Sequence, residues 1–181
     1  MQANFRSAMR RMAATVTIIS TENGGERFGM TATAVNSVSM DPASLLICVN
    51  HSASIHDPLC KRGTFCVNVL SVAHQAHCSA FSGKEKGEDR FHYGSWFDRY
   101  GTPYLGDAQA NIFCNVDAKI PYGTHTVFIG RVTECFLRSA SEPLIFVDGK
   151  FCLAEPTCLE QPSEPWPASP HVDRHRSPVT V

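Results

Sequence analysis

Short β-branched and aromatic segments, separated by turn signals, dominate this chain and restrict its possible folds. Glu22-Asn23-Gly24-Gly25 and Asp148-Gly149 are typical of hairpin turns. Strands and helices do not alternate, which argues against a doubly wound parallel sheet. The pattern predicts a mainly β fold, a closed or partly closed antiparallel barrel. The strand candidates are residues 14–20, 26–31, 44–49, 64–70, 111–120, 124–136, 144–147 and 151–153.

Helices are predicted to be few and short. A stripe of apolar residues at helical spacing predicts an N-terminal helix over residues 5–13. Asp57 is expected to cap a second helix, with Pro58 at its first position and Gly63 at its end. Ser71 is expected to cap a third helix that continues through residue 80. Residues 82–104, rich in glycine, charge and aromatics, are interpreted as a long functional loop.

Length and charge exclude several classes of protein. A chain of 181 residues fits one domain with one sizeable core. Lys and Arg number 16 against 17 Asp and Glu, so no basic field favours nucleic acid or an anionic membrane. The first residues do not resemble a signal peptide, and no apolar run reaches the about 20 residues that span a bilayer. We therefore expect a cytoplasmic protein without nucleic-acid or membrane partners.

The eight cysteines are expected to be reduced thiols, because no export signal accompanies them. No CxxC pair is present, so the sequence predicts no metal site. His74 and His77 lie at i and i+3 of a predicted helix and are interpreted as part of a solvated face.

The chain changes character after residue 153. Six of its eleven prolines fall in residues 154–181, where little apolar material could build a core. We expect a domain over residues 1–153 and a Pro-rich tail over 154–181, disordered or extended across a partner subunit. Trp166 is the apparent anchor of that tail.

A run of small residues around the end of the second strand suits a flat ligand. Small side chains allow backbone amides and carbonyls to reach the polar edge of a ring, and hydroxyls add short donors. By itself the run also fits an ordinary strand and turn. Its candidate contact residues are Thr31, Ala32, Thr33, Ala34 and Ser37.

A second group of polar residues lies between a buried strand and a helix start. Asn50, Ser52 and Ser54 would present hydroxyls and N–H groups to an anion. Serines at this position could equally serve as helix caps.

These two groups, followed by Phe81-Ser82-Gly83-Lys84 and Gly123-Thr124-His125, closely resemble the short-chain flavin reductase family over residues 5–153. Members of that family are the small reductase partners of two-component flavin-dependent monooxygenases. The resemblance implies an FMN-binding split β-barrel with a few short helices that forms a homodimer.

The resemblance also implies roles for individual residues. Residues 31–34 would contact the isoalloxazine and ribityl chain largely through backbone, with Ser37 close by. Asn50, Ser52 and Ser54 would bind the flavin phosphate. Lys84 would add a charge next to Ser82, and Phe81 an aromatic surface. His125 is the candidate catalytic and nicotinamide-binding residue, since imidazole can orient a ligand or exchange a proton near neutral pH.

The activity implied is reduction of FMN or FAD by hydride transfer from NADH or NADPH, with the reduced flavin supplied to a partner monooxygenase. Such a reaction depends on positioning and needs no nucleophile or acid pair. Accordingly the chain lacks a G-x-S-x-G elbow, a P-loop, an HExxH pair and a G-x-G-x-x-G turn. Two alternatives remain open: a flavoredoxin-like electron-transfer protein without NAD(P)H activity, and a flavin-dependent oxygenase on the same fold.

Overall fold

The computed structural model describes residues 1–139 and 141–155. The expected disordered or extended arm, with Trp166 as its anchor, lies almost wholly outside the described residues and stays a prediction.

The described residues form three α-helices and twelve strands. The helices are α1 (Gln2–Met9), α2 (His56–Arg62) and α3 (Gln75–Ser79). The strands are β1 (Ala14–Thr15), β2 (Thr17–Asn23), β3 (Glu26–Ala32), β4 (Val35–Met40), β5 (Ala43–Asn50), β6 (Thr64–Val69), β7 (Trp96–Arg99), β8 (Thr102–Leu105), β9 (Ala110–Tyr122), β10 (His125–Leu137), β11 (Ile145–Val147) and β12 (Lys150–Cys152). Short 3₁₀ or π segments cover Val72–His74, Ala80–Lys84 and Gly87–His92.

Seven strands form the main sheet in the order β3-β2-β6-β9-β10-β5-β4, and each neighbouring pair is antiparallel. The two edge strands, β3 and β4, are consecutive in the chain and are separated only by Thr33 and Ala34. Three Cα–Cα steps span at most about 11 Å, so the two edges must approach each other. The sheet therefore curls into a barrel with a seam at Thr33-Ala34, which confirms the predicted mainly β barrel.

Two apolar clusters fill the molecule. The first lies inside the barrel and includes Ile19, Ile47, Phe65 and Phe128, all fully buried. The second packs between the barrel and the segments that follow β6, and it includes Phe81 and other buried side chains from the N-terminal strands and the hairpin β7–β8. This second cluster holds the turn Ala80–Lys84 against β3.

All three helix predictions were wrong in detail, and the N-terminal helix expected over residues 5–13 spans Gln2–Met9. Helix α2 begins at His56 rather than after Asp57, and its N-cap is the fully buried Ile55. Asp57 is exposed and accepts a hydrogen bond from the neighbouring His56 instead of capping. Gly63 ends the helix in the left-handed region, as the sequence predicts.

The single helix expected from Ser71 to residue 80 is divided into three pieces. The Ser71 main-chain N–H donates to Nδ1 of His74 at 3.0 Å, which tightens the first turn into a 3₁₀ helix. The last turn widens into a π helix that contains Gly83 at φ +105°, a conformation that glycine adopts without strain. The chain thereby turns away from the helix axis toward β3.

The long functional loop expected over residues 82–104 is instead largely ordered structure. It contains the turn Gly87–His92 and the hairpin β7–β8. Phe91 and Trp96 lie with Phe81 in a three-ring cluster whose centroids are 4.9–5.3 Å apart. These aromatics fill a core because apolar contact with Phe81 removes them from water.

The interpretation of His74 and His77 as a solvated face was wrong. His74 is buried, and its Nε2 lies 3.2 Å from a carboxylate oxygen of Asp107. Both ring nitrogens of His77 are buried, and neither has a hydrogen-bond partner among the described residues. Burial lowers the pKa of His77 from 6.5. The pair belongs to the interior beneath the hairpin.

Candidate functional site

A pocket of about 500 Å³ opens where β3, the β5–α2 connection and the turn Ala80–Lys84 meet. Five residues predicted from the sequence line it: Thr31, Ser52, Ser54, Phe81 and Ser82. The fold thus brings together side chains that are up to 51 positions apart in the chain, from Thr31 to Ser82.

Met30 and Thr31 form the β3 side of the pocket. The Thr31 hydroxyl donates to the carbonyl of Cys78 at 3.2 Å, so its proton is used inside the protein. Gly29 allows the Phe81 ring to approach β3, because a Cβ at that position would lie 2.6 Å from Cε1 of the ring. Burial raises the pKa of Cys78 to about 11, which keeps that thiol protonated at neutral pH.

The β5–α2 connection forms the hydroxyl-rich wall. Oδ1 of Asn50 accepts the Ser52 main-chain N–H at 2.9 Å and the Ser52 hydroxyl at 2.8 Å. This is the local turn that asparagine favours at the end of a strand. Asn50 therefore shapes the connection, while Ser52 and Ser54 line the pocket.

Two cations, Lys86 and Arg90, also line the pocket. Arg90 donates from Nη1 to the Gly29 carbonyl at 2.8 Å and to the Ser54 hydroxyl at 3.1 Å, and from Nε to the Glu85 carbonyl. The lysine at this pocket is Lys86, whereas Lys84 lies exposed at the end of the turn. The charged stretch of residues 84–90 is visible in the sequence. Which of its cationic side chains reaches the pocket depends on the geometry of the turns in this stretch.

The segment that carries these cations is fixed to β3 by a second contact. Arg27 pairs with Glu88 at 2.7 Å, and its guanidinium lies 4.4 Å from the centroid of Phe91. The hydrogen bond from Arg27 lowers the pKa of the Glu88 carboxyl. The wall is thus attached to the barrel by an ion pair as well as by apolar packing.

The rest of the small-residue run continues past the pocket along the barrel seam. Ala32 and Thr33 line an adjoining cavity of about 220 Å³, which shares Thr31 and Ser82 with the pocket. Thr33 and Ala34 also border a cavity on the α1 side of the seam. Ser37 lies exposed on β4, further along the chain.

His125 is exposed and is the first residue of β10. It pairs across the ladder with Asn50 on one side and with Tyr122 on the other. Its Nδ1 lies 2.9 Å from the hydroxyl of Thr124. The structure therefore places His125 next to the start of the β5–α2 connection but outside the lining of the 500 Å³ pocket.

In the part of the chain that the structure describes, no three His, Cys, Asp or Glu side chains form a group that could hold a metal ion. None of the helices within residues 1–139 and 141–155 is long and apolar enough to cross a bilayer.

The family model described as "Flavin reductase like domain" matches residues 9–155. The reductase component of the FADH(2)-dependent resorcinol hydroxylase of Rhizobium sp. (strain MTP-10005) is 46% identical over 160 residues, 86% of this chain and 89% of that protein. The FMN reductase (NADH) RutF of Variovorax paradoxus (strain S110) is 38% identical over 151 residues, 83% of this chain and 84% of the relative.

Solved structures give the same result. The flavin reductase PheA2 is 33% identical with a TM-score of 0.78, covering 86% of this chain and 99% of that one. The NADH:FAD oxidoreductase SgcE6 of Streptomyces globisporus C-1027, solved with NAD and FAD fragments, is 28% identical with a TM-score of 0.80, covering 87% and 94%. Given the family match and these relatives, the chain belongs to the flavin reductase family and is an oxidoreductase.

Proposed function

We propose that this protein uses NADH to reduce a flavin and delivers the reduced flavin to a separate monooxygenase that hydroxylates an aromatic ring. The observation that carries the proposal is the 46% identity, over 86% of the chain, to the reductase component of a resorcinol hydroxylase. NADH is favoured over NADPH because the RutF relatives are named for it.

The residues of the pocket suit a flavin nucleotide. Serine hydroxyls and two cations line the same pocket, with Arg90 hydrogen-bonded to Ser54, and this donor set matches a phosphate group. Small residues at the barrel seam allow main-chain groups to meet the edge of a flat ring. In this proposal Ser52, Ser54, Lys86 and Arg90 bind the phosphate end, and residues 31–34 bind the ring system.

When bound, the flavin supplies the two-electron acceptor for the hydride of NADH. The protein itself binds the flavin and NADH and orients them relative to each other. His125 binds the nicotinamide end of NADH at the start of β10. Its Nδ1 lies at hydrogen-bond distance from the Thr124 hydroxyl, and its Nε2 contacts the ligand. Asn50 fixes the turn beside it, and Lys84 remains a candidate for contact with the outer part of the nucleotide.

We also propose that two copies assemble. No residue of α1 is buried, and Met9 and Met12 border an apolar cavity of about 590 Å³ with Val35, Val67 and Ile112. A second copy would remove this surface from water. Sedimentation should give about twice the chain mass of 19.9 kDa, whereas a single-chain mass would contradict the proposal.

We also propose a cytoplasmic location for the protein, where the NADH pool would supply the reaction.

The test is NADH oxidation followed by absorbance with FMN, with FAD and without flavin. We expect oxidation that depends on added flavin and is faster with NADH than with NADPH. Bound flavin retained through dialysis without NADH activity would instead identify an electron-transfer protein. Oxygenated product formed without a partner protein would identify an oxygenase.

A pair of histidine variants tests the nicotinamide role. His125→Ala should raise the KM for NADH several-fold and leave the KM for flavin nearly unchanged. His92→Ala is the matched control, because His92 is another exposed histidine in the same domain. Equal effects of the two variants would contradict the role proposed for His125.

A further inference from the structure

One buried hydroxyl joins two imidazoles beside the site. Thr126, the second residue of β10, is 4% exposed. Its Oγ1 lies 3.1 Å from Nε2 of His51 and 2.9 Å from Nε2 of His56. The two rings lie edge to face with centroids 5.0 Å apart. A single side chain thus contacts both ends of the segment 51–56.

The protons of this cluster can be assigned for neutral imidazoles. Nδ1 of His56 lies 3.0 Å from Oδ1 of Asp57, and this hydrogen bond lowers the pKa of Asp57, so the carboxylate accepts and Nδ1 carries the proton. The bare Nε2 of His56 then takes the one hydroxyl proton of Thr126. His51 must donate its own Nε2–H to the Thr126 oxygen. One arrangement of protons satisfies all three contacts.

These contacts attach the β5–α2 connection to β10. The His51 main-chain N–H also donates to the Thr124 carbonyl at 2.9 Å, and the His56 ring packs edge-on against Phe128. Between the two histidines lie Ser52 and Ser54, which line the pocket. The position of both serines relative to the barrel therefore depends on the residues on either side of them.

We propose that Thr126, with His51 and His56, is a positioning residue that sets the serine wall of the pocket for the flavin. This inference rests on the proposed function, and it adds residues that do not line the pocket themselves. Ile55, fully buried in the core, keeps the segment folded without the hydroxyl. Loss of the Thr126 hydroxyl therefore changes flavin affinity rather than folding.

The experiment compares Thr126→Val, which removes the hydroxyl at constant shape, with Thr126→Ser, which keeps it. Thr133→Val is the matched control, since Thr133 lies on the same strand and its hydroxyl donates to the Phe113 carbonyl. For each variant, kcat, the flavin KM and the NADH KM are measured, and FMN and FAD dissociation constants are obtained from flavin fluorescence without NADH.

We expect Thr126→Val to raise the flavin KM and dissociation constant about tenfold, the effect of one net hydrogen bond to the flavin lost when the serines are displaced. The kcat at saturating flavin should stay within about twofold, as should every constant of Thr126→Ser and Thr133→Val. Unchanged flavin affinity in Thr126→Val, or an equal loss in Thr133→Val, would overturn the proposal. A fall in kcat at constant flavin KM would also overturn it.

Two further results separate this inference from the proposed function. If Thr126→Val does not fold, His51→Ala tests the inference instead. His51 is exposed, and its replacement removes only the His51–Thr126 contact and keeps the His56–Thr126 contact. A flavin dissociation constant like that of wild type in this variant would overturn the inference, and an increase of about threefold would support it. If wild type binds flavin but does not oxidise NADH, the proposed function fails while the fluorescence comparison still tests Thr126. Absence of flavin binding by wild type would overturn both.

Discussion

Replacement of Gly29 by alanine should disturb the pocket by displacing the Phe81 ring that lines it. The added Cβ would lie 2.6 Å from Cε1 and 2.8 Å from Cδ1 of Phe81. Carbon atoms in contact prefer about 3.5–4.0 Å, so the ring would have to move by about 1 Å. Phe81 is 3% exposed and packs against Phe91 and Trp96, so its ring can move only toward the pocket that it borders.

The cost follows from this rigid packing. Inserting a methylene into a filled core costs about 1–3 kcal/mol, and the alanine recovers about 0.4–1 kcal/mol by restricting the unfolded chain. The midpoints of these ranges leave a net loss of about 1.3 kcal/mol, which corresponds to a decrease in Tm of about 3–5 °C for a domain of this size. Because Phe81 and Ser82 line the pocket, the flavin KM should rise in the same variant.

The assay combines thermal unfolding with flavin titration, and Gly106→Ala is the control. A Cβ at Gly106 would overlap Cε2 of Phe97 more closely than a Cβ at Gly29 overlaps Phe81. Phe97 is 55% exposed, so its ring can rotate into solvent. We expect a loss within about 0.5 kcal/mol and unchanged flavin affinity. The reasoning is refuted if Gly29→Ala is as stable as wild type, or if Gly106→Ala is destabilised as much.

Three other predictions concern charge and protonation. Lys86→Ala should raise the flavin KM several-fold, more at low than at high ionic strength, and Lys84→Ala should raise it less; the reverse order would contradict the assignment. Burial lowers the pKa of His77 from 6.5, so its contribution to stability is present above that pH and is lost as pH falls below it. Urea midpoints between pH 7 and 5 should therefore fall more steeply in wild type than in His77→Leu, and parallel curves would contradict this. With pKa values of about 11 and about 12, Cys78 and Cys114 should resist iodoacetamide at pH 8 in the native protein, as measured by mass spectrometry. Modification at the rate of the denatured chain would contradict their burial.

The sequence predicts the barrel because its signals are local. β-branched segments and Gly-rich turns are read over a few residues, and the hairpins they indicate form in the structure. Helix starts are less predictable. Asp57 and Pro58 carry the local signature of a helix start, but the burial of Ile55 in the core moves the start to His56.

The candidate site is predictable in part. Small and hydroxyl residues mark the segments around Thr31 and Ser52, and the fold brings them to one pocket. Which cation lies there depends on left-handed turns that redirect residues 83–90, and that path is set by packing against β3. The interior position of His77 likewise depends on a distant hairpin, because Gly94 and Leu105 cover it.

The seam of the barrel also determines where the chain can tolerate insertions. At one end of β3 the Gly24-Gly25 turn borders open space, so extra residues there would only lengthen an exposed loop. At the other end, Thr33 and Ala34 join two edge strands whose registers on β2 and β5 are both fixed. A third residue in this connection would allow β3 and β4 to move apart and would displace the backbone that borders the pocket. Length variation is therefore compatible with the first end of β3 and not with the second.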